Sequence, residues 1–227
     1  MFTLGHIVPW GRSFDEYRRM FGLTEADLDR RIIGCADGPA GFNAGMRRRG
    51  RRVISCDPLY AFGADEIRRR IDATAAELVA VAREAAGRFV WDRIASPDDL
   101  GRVRLAAMAE FLGDYDDGRL EGRYLDRSLP DLGFACDSFD LALCSHFLLL
   151  YGDELSAEFH LASVLEMCRV AREARVFPLL DMRGEGSPHL ATLVEQLNTH
   201  GLAAKVERVD YEFQRGGNEM LRVTRRG

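Results

Sequence analysis

The chain has 227 residues, of which 47% are hydrophobic and 30% charged, so it can bury a full core and is not intrinsically disordered. Its formal net charge of −5 at pH 7 disfavours a general affinity for DNA or RNA. The longest apolar run is too short to span a membrane, and the first ten residues lack the pattern of a secretory signal. The five cysteines form no CxxC pair, which indicates free thiols. We therefore expect a cytoplasmic protein with no membrane partner.

Hydrophobic periodicity and turn residues predict that helices and strands alternate along the chain. Residues 1–30 are predicted to form an N-terminal helical arm. Residues 61–113 are predicted to form a helical insertion, followed by a turn over residues 114–118. The predicted strands, in chain order, are 31–36, 52–56, 123–125, 139–145, 174–180, 206–213 and 219–224.

Strands that alternate with helices predict an α/β fold with a doubly wound, mainly parallel sheet. The last two of the seven strands are separated by Gly216-Gly217, which favours a C-terminal antiparallel hairpin. We expect residues 1–227 to form a single domain. Ligands of such sheets bind beyond the carboxyl ends of the strands, so functional residues are expected there.

Two segments at these predicted strand ends suggest a nucleotide-like ligand. After the first strand, the run Asp37-Gly38-Pro39-Ala40-Gly41 allows a ligand to approach the backbone closely at the start of a helix. After the second strand comes Asp57, where a carboxylate in a βαβ unit can accept both hydroxyls of a ribose. Each feature also has a purely structural explanation, since glycine turns commonly join strands to helices and Asp57-Pro58 can simply end a strand.

Three stretches of the chain, taken together, resemble the class I S-adenosylmethionine-dependent methyltransferase family. They run from Ile32 to Phe42, from Val53 to Asp57 and from Ser138 to His146, in the family's order on strands one, two and four. The closing hairpin is also part of the family's topology. The resemblance spans roughly residues 30–225 and implies a class I methyltransferase-like Rossmann fold with S-adenosyl-L-methionine as the cofactor.

In that family, the loop after strand one contacts the methionine part of the cofactor, and the acid after strand two binds the ribose. Two positions depart from the pattern, because the usual acid late in strand one falls on Gly34 and Ala36 replaces an expected glycine. Asp37 could instead meet the cofactor's ammonium group, and Arg12 in the arm could pair with its carboxylate. The cofactor contacts that the resemblance implies are Gly34, Ala36, Asp37, Gly38, Asp57, Asp126, Ser145 and Arg12, with Asp126 placed near adenine.

Methyl transfer requires the protein to position the acceptor and, for an oxygen or nitrogen acceptor, to accept its proton. His146 follows the predicted fourth strand and has the chemistry of a general base near neutral pH, although a histidine there can also simply hydrogen bond a loop. A nicotinamide dinucleotide site is disfavoured, because residues 34, 36 and 39 do not form G-x-G-x-x-G. Since the histidines show no paired metal-ligand spacing, we predict no metal site.

The favoured function is therefore a methyltransferase that uses S-adenosylmethionine and a small-molecule acceptor. Two alternatives remain open: a non-catalytic binding or scaffold protein with the same fold, and an RNA methyltransferase. The run 47–52, which is rich in arginine, motivates the RNA alternative, but a solvated helix end also explains it. The insertion over residues 61–113 is expected to narrow the acceptor entrance or to form an interface, and a homo-oligomer is compatible with the sequence.

Overall fold

Seven strands form one mixed sheet in the computed structural model, which describes residues 10–226. The strand order is β3-β2-β1-β4-β5-β7-β6, and β7 runs antiparallel to both of its neighbours. This order, with the antiparallel strand near one edge, is that of the class I methyltransferase fold, so the predicted fold is confirmed. The strands are β1 (Ile32–Cys35), β2 (Val53–Cys56), β3 (Tyr124–Leu125), β4 (Phe139–Ser145), β5 (Ala171–Phe177), β6 (Leu202–Arg208) and β7 (Glu219–Arg225).

Helices cover both faces of this sheet. Because successive side chains of a strand point to opposite faces, Ile32 packs in the core layer with the first helices and Ile33 in the layer with the later ones. Ser13, Ser96 and Ser156 each cap a helix, because their side chains accept from a backbone amide of the first turn. The helices are α1 (Phe14–Met20), α2 (Glu25–Leu28), α3 (Phe42–Arg48), α4 (Ala64–Glu84), α5 (Pro97–Leu120), α6 (Ala157–Val170) and α7 (Leu190–Thr199).

The predicted turn over residues 114–118 is wrong, because α5 continues through it to Leu120. Asp114 is buried, and its carboxylate accepts hydrogen bonds from Arg123 and from the Tyr124 hydroxyl. Tyr115 packs its ring 4.9 Å from that of Phe111. These tertiary contacts stabilise helical backbone in a sequence whose acidic residues and glycine favour a turn.

Two strands are shifted toward the N-terminus relative to the prediction. Strand β5 begins at Ala171, directly after α6, and β6 begins at Leu202, opposite Arg225 of β7. Residues 209–213 leave the sheet instead of extending β6. There Tyr211 is buried, and Phe213 stacks 4.8 Å from Phe89. The segment after β6 therefore closes the space between the arm and the insertion.

Candidate active site

The loop between β1 and α3 lies at the carboxyl end of the sheet and is fixed on two sides. The Tyr60 hydroxyl donates to the Gly38 carbonyl at 2.7 Å, and the Gly41 amide donates to the Arg12 carbonyl at 2.9 Å. Ala36 and Gly38 both have positive φ, of 55° and 53°. A Cβ added at Gly38 would meet no atom nearer than Asp57 Oδ2, at 4.0 Å. The loop is thus rigid, with open space directly above Gly38.

Asp57 borders that open space and helps to hold the loop. Its Oδ2 accepts from the Gly38 amide and its Oδ1 from the Leu59 amide, both at 2.8 Å. A carboxylate has about four acceptor positions, so each oxygen keeps capacity for a further donor. Burial raises the pKa of Asp57 to about 6, and the charge of Asp126 adds to this increase. Asp57 is therefore mostly ionised at pH 7 and suited to accept two hydroxyl groups.

Asp37 is buried beneath the loop rather than exposed at its rim. The Tyr17 hydroxyl donates to Oδ1 at 2.9 Å, and the Ser55 hydroxyl donates to Oδ2 at 2.6 Å. A Cβ added at Gly34 would lie 1.8 Å from Asp37 Oδ2, so the carboxylate occupies the space of a side chain at position 34. Burial raises the pKa of Asp37 to about 6.

Ser145 and His146 lie at the end of β4, near the Tyr17 hydroxyl that binds Asp37. Burial raises the pKa of Tyr17, which the Ser145 side chain lowers, and Ser145 Oγ lies 2.9 Å from His146 Nδ1. His146 has a φ of 54°, and its amide donates to the Phe177 carbonyl at 2.6 Å. Positive φ is uncommon for residues other than glycine and often marks functional sites. The structure thus brings His146, Ser145 and Asp37 together through Tyr17, which the sequence analysis did not identify.

The electrostatic environment of His146 favours a neutral ring. Burial lowers its pKa well below the usual value, and the charges of Arg12 and Arg104 lower it further. His146 Nδ1 contacts Ser145 Oγ, so Nε2 is the ring nitrogen that is left to contact a substrate. A neutral imidazole can hydrogen bond an acceptor hydroxyl or amine, but the two guanidinium groups oppose a long-lived imidazolium.

Arg104 of α5 is the second functional candidate that the sequence analysis missed. Its side chain is fully buried, and Nη1 lies 2.6 Å from both carboxylate oxygens of Glu16 in α1. Glu16 also accepts from the Tyr211 hydroxyl at 2.8 Å. The helical periodicity of α5 could have identified Arg104, because this residue falls on the buried face that Leu100 and Phe111 define. An arginine on such an apolar face is rarely buried unless it is paired.

Three guanidinium nitrogens of this region are buried without a hydrogen-bond partner. They are Nε and Nη2 of Arg104 and Nε of Arg12, whereas Arg12 Nη1 donates to the Trp10 carbonyl. Burial lowers the pKa of Arg12 to about 10, and the charge of Arg104 contributes. Arg12 and Arg104 are thus two buried cations whose charges both lower the pKa of His146, and Glu16 is the carboxylate that pairs with Arg104.

Asp126 is exposed and follows β3 at the same edge of the sheet. The Asp57 amide donates to the Leu125 carbonyl at 3.2 Å, so the backbone before Asp126 is held beside the Asp57 segment. The predicted cofactor residues therefore cluster at one edge, with Asp57 and Gly38 at the centre, Asp126 on one side and Ser145 on the other.

Three of the five arginines over residues 47–52 pair with acidic side chains. Arg47 pairs with Asp114 and Glu121, and Arg48 pairs with Glu110. Arg51 pairs with two further carboxylates, at 2.7 and 2.9 Å. These ion pairs offset part of the positive charge of the run, which is consistent with the solvated helix end considered above.

Two grooves, each of about 480 Å³, lie away from the carboxyl ends of the strands. One separates α3 from α5, and the other lies at the amino ends of β1, β2 and β4. Between residues 10 and 226 there is no cluster of three or more His, Cys, Asp or Glu side chains able to hold a metal ion. Within the same part of the chain, no helix combines the length and hydropathy needed to cross a membrane.

Comparison with curated proteins identifies one close relative in length and sequence. The chain is 32% identical over 227 residues to a protein of Methanocaldococcus jannaschii called uncharacterized protein MJ0045, and the match covers 98% of each chain. No family model matches the chain.

Comparison with solved structures finds several methyltransferases. Magnesium protoporphyrin IX methyltransferase of Synechocystis, solved with bound S-adenosylmethionine, is 12% identical with a TM-score of 0.46, over 94% of this chain and 91% of that one. A methyltransferase of Aquifex aeolicus, described as dependent on S-adenosylmethionine, is also 12% identical, with a TM-score of 0.43, over 92% and 90% of the two chains.

Proposed function

We propose that this chain, which belongs to the same family as the Methanocaldococcus jannaschii protein MJ0045, is a methyltransferase that uses S-adenosylmethionine and a small-molecule acceptor. The observation that carries the proposal is the Asp57 carboxylate beside the open space over Gly38, at the carboxyl end of the sheet. When bound, S-adenosylmethionine supplies an electrophilic methyl group on a sulfonium.

The cofactor contacts follow from the position of each side chain. Asp57 would accept hydrogen bonds from the ribose hydroxyls, and Gly38 would allow the cofactor to approach the backbone. Asp126 would lie near the adenine. The unpaired Nε of Arg12 offers a donor to the cofactor carboxylate. The unpaired donor and the open space above Gly38 together support the fit of an amino acid joined to a nucleoside.

The remaining predicted residues are assigned positioning roles. Both oxygens of Asp37 already accept hydroxyl hydrogen bonds, so its contact with a cofactor ammonium would add to an existing network. Ser145 would orient the His146 ring through its contact with Nδ1. Ala36 and Gly34 shape the loop backbone. His146 Nε2 would accept a hydrogen bond from the hydroxyl or amine of the methyl acceptor and take its proton during transfer.

Calorimetric titration with S-adenosylhomocysteine tests the assignment of Asp57. We expect the wild-type chain to bind and the Asp57→Asn variant to bind about tenfold more weakly, because the amide accepts at one atom where the carboxylate accepts at two. Asp29→Asn is the matched control, since Asp29 pairs with Arg51 beside the groove at the amino ends of the strands. Equal affinity in the wild type and Asp57→Asn, or no binding at all, would contradict the proposal.

Turnover separates an enzyme from a binding protein with the same fold. We expect the wild-type chain to convert S-adenosylmethionine to S-adenosylhomocysteine when a pool of small organic acids and amines is supplied. His146→Asn should retain binding of S-adenosylhomocysteine and lose most of this conversion. Binding without conversion in any acceptor pool would favour the non-catalytic alternative.

A further inference from the structure

The buried cluster of Arg104, Arg12 and Glu16 contains donors without acceptors. Glu16 is the carboxylate bonded to Arg104, and the buried acid Asp37 accepts from the Tyr17 and Ser55 hydroxyls instead. Buried donors without partners are uncommon in folded proteins, and the three guanidinium nitrogens of this cluster are such donors.

The unpaired edge of Arg104 has the geometry of an oxyanion site. Glu16 takes up Nη1, while Nε and Nη2 remain unpaired. These two nitrogens form one edge of the planar guanidinium, with two parallel N–H groups. Such an edge matches the two oxygens of a carboxylate or phosphate. Arg104 is fully buried, so its side chain is held in place before any ligand arrives.

Packed side chains connect Arg104 to His146 at the end of β4. Its partner Glu16 accepts from the Tyr211 hydroxyl, the Tyr211 ring lies 5.6 Å from that of Phe177, and the Phe177 ring lies 5.5 Å from that of His146. Arg104 comes from α5 of the helical insertion, and its guanidinium carbon lies 5.8 Å from the ring centroid of Phe213. A cofactor carboxylate held by Arg12 would leave the Arg104 edge unpaired, so a second anionic group is needed.

We propose that the Nε and Nη2 edge of Arg104 binds a carboxylate or phosphate group of the methyl acceptor, which makes the substrate a small anion. This inference rests on the proposed function. It gives the insertion a role in substrate selection, because Arg104 is a residue of the insertion that reaches the site. Neutral analogues of the acceptor would leave the edge unpaired and would bind poorly.

Titration with benzoate and with inorganic phosphate tests the anion site, with and without saturating S-adenosylhomocysteine. In the wild type we expect at least one probe to bind in both conditions. The Arg104→Lys variant keeps a positive charge for Glu16 but loses the two parallel N–H groups that allow bidentate binding. We therefore expect about tenfold weaker probe binding. The matched control is Arg102→Lys on the same helix, where an exposed arginine pairs with Asp99 and probe binding should not change.

A second variant covers the possibility that Arg104→Lys does not fold. The double variant E16Q/R104M removes both members of the buried pair together, and we expect it to fold and to lose probe binding. Probe binding that is equal in the wild type and in either Arg104 variant, or absent from the wild type, would overturn the anion site.

The cofactor carboxylate is the competing source of the anion. Methylthioadenosine, which lacks the amino-acid part, separates the two sources. We expect Arg104→Lys to leave the affinities for S-adenosylhomocysteine and methylthioadenosine unchanged. A loss for S-adenosylhomocysteine alone would assign the edge to the cofactor and overturn the proposal. If S-adenosylhomocysteine fails to bind while benzoate binding still depends on Arg104, the proposed function fails and the oxyanion site remains.

Discussion

Ala36 shows at the scale of one residue why the methyltransferase loop pattern favours glycine. Its φ of 55° lies in the left-handed region, where a Cβ is unfavourable. We expect Ala36→Gly to raise the free energy of unfolding by about 1 kcal/mol, measured by urea denaturation. Ala85→Gly is the control, because Ala85 has a φ of −96° and should lose stability instead. A loss of stability in both variants would contradict this explanation.

Asp37 predicts a pH dependence of stability with a definite sign. Its pKa is raised from 3.8 to about 6 by burial, so between these values the folded chain holds more protons than the unfolded chain. Stability contributed by this group therefore falls as the pH rises from about 4 to about 6. A shift of roughly two pKa units corresponds to about 3 kcal/mol.

Asp37→Asn should remove this pH-dependent loss. We expect the unfolding free energy of the variant, relative to the wild type, to increase by up to about 3 kcal/mol between pH 4 and pH 7. Urea denaturation at several pH values measures the difference. Parallel pH profiles would show that Asp37 does not titrate in this range.

The sequence pattern predicted the residues at the strand ends that border the candidate site, but not the buried side chains beneath the loop. The sequence placed Asp57 and Gly38 at adjacent strand ends, because strand-end position depends on local patterns along the chain. It did not place Tyr17 under the loop, since Tyr17 reaches Asp37 only when α1 packs on α3. Contacts between residues distant in sequence carry no periodic signal, so the hydrogen bond between Tyr17 and Asp37 could be found only in three dimensions.

A buried ion pair links α1 of the arm to α5 of the insertion. The Arg104 side chain has no exposed surface and that of Glu16 is 7% exposed, and the ion pair with Arg104 contributes to lowering the pKa of Glu16 to about 2. We expect Glu16→Gln to lower the free energy of unfolding by about 3–5 kcal/mol at pH 7, because Arg104 would remain buried without a counter-charge.

An exposed pair provides the comparison for this prediction. Glu66 and Arg70 lie one turn apart on α4, and Glu66→Gln should cost less than about 1 kcal/mol. Both values come from urea denaturation under the same conditions. The cost of Glu16→Gln should shrink as the pH falls toward 2, where Glu16 becomes protonated in the wild type. Similar costs for the two variants would show that the α1–α5 pair is effectively solvated.

Helices and strands were predicted where local pattern and packing agree. Strand β4 has the predicted bounds because its apolar run is buried on both faces. The end of α5 was missed because Asp114, Tyr115 and Gly118 disfavour a helix locally and are buried by distant partners. The start of β5 was missed because no turn residue separates it from α6. Tertiary contacts decided both boundaries.

At the scale of the whole molecule, the two edges of the sheet differ in charge pairing. The edge with the carboxyl ends of the strands carries unpaired guanidinium nitrogens and a half-buried Asp57. At the opposite edge, a groove of about 480 Å³ is lined by arginines in ion pairs, such as Arg31 with Asp140 and Arg51 with Asp29. The buried guanidinium nitrogens without partners therefore lie at the end of the sheet where parallel α/β sheets bind their ligands.

Hydrogen exchange measured by mass spectrometry can locate the bound cofactor without knowledge of the acceptor. With saturating S-adenosylhomocysteine we expect slower exchange in peptides that cover residues 36–41, 57–60, 125–130 and 145–148, because ligand contact suppresses local opening there. Peptides over residues 28–31 and 50–52, at the opposite edge, should exchange through local opening at unchanged rates. The Asp57→Asn variant at the same ligand concentration should show weaker protection in the first group. Protection centred on the second group would place the ligand in the groove at the amino ends of the strands and would contradict the assignment of Asp57.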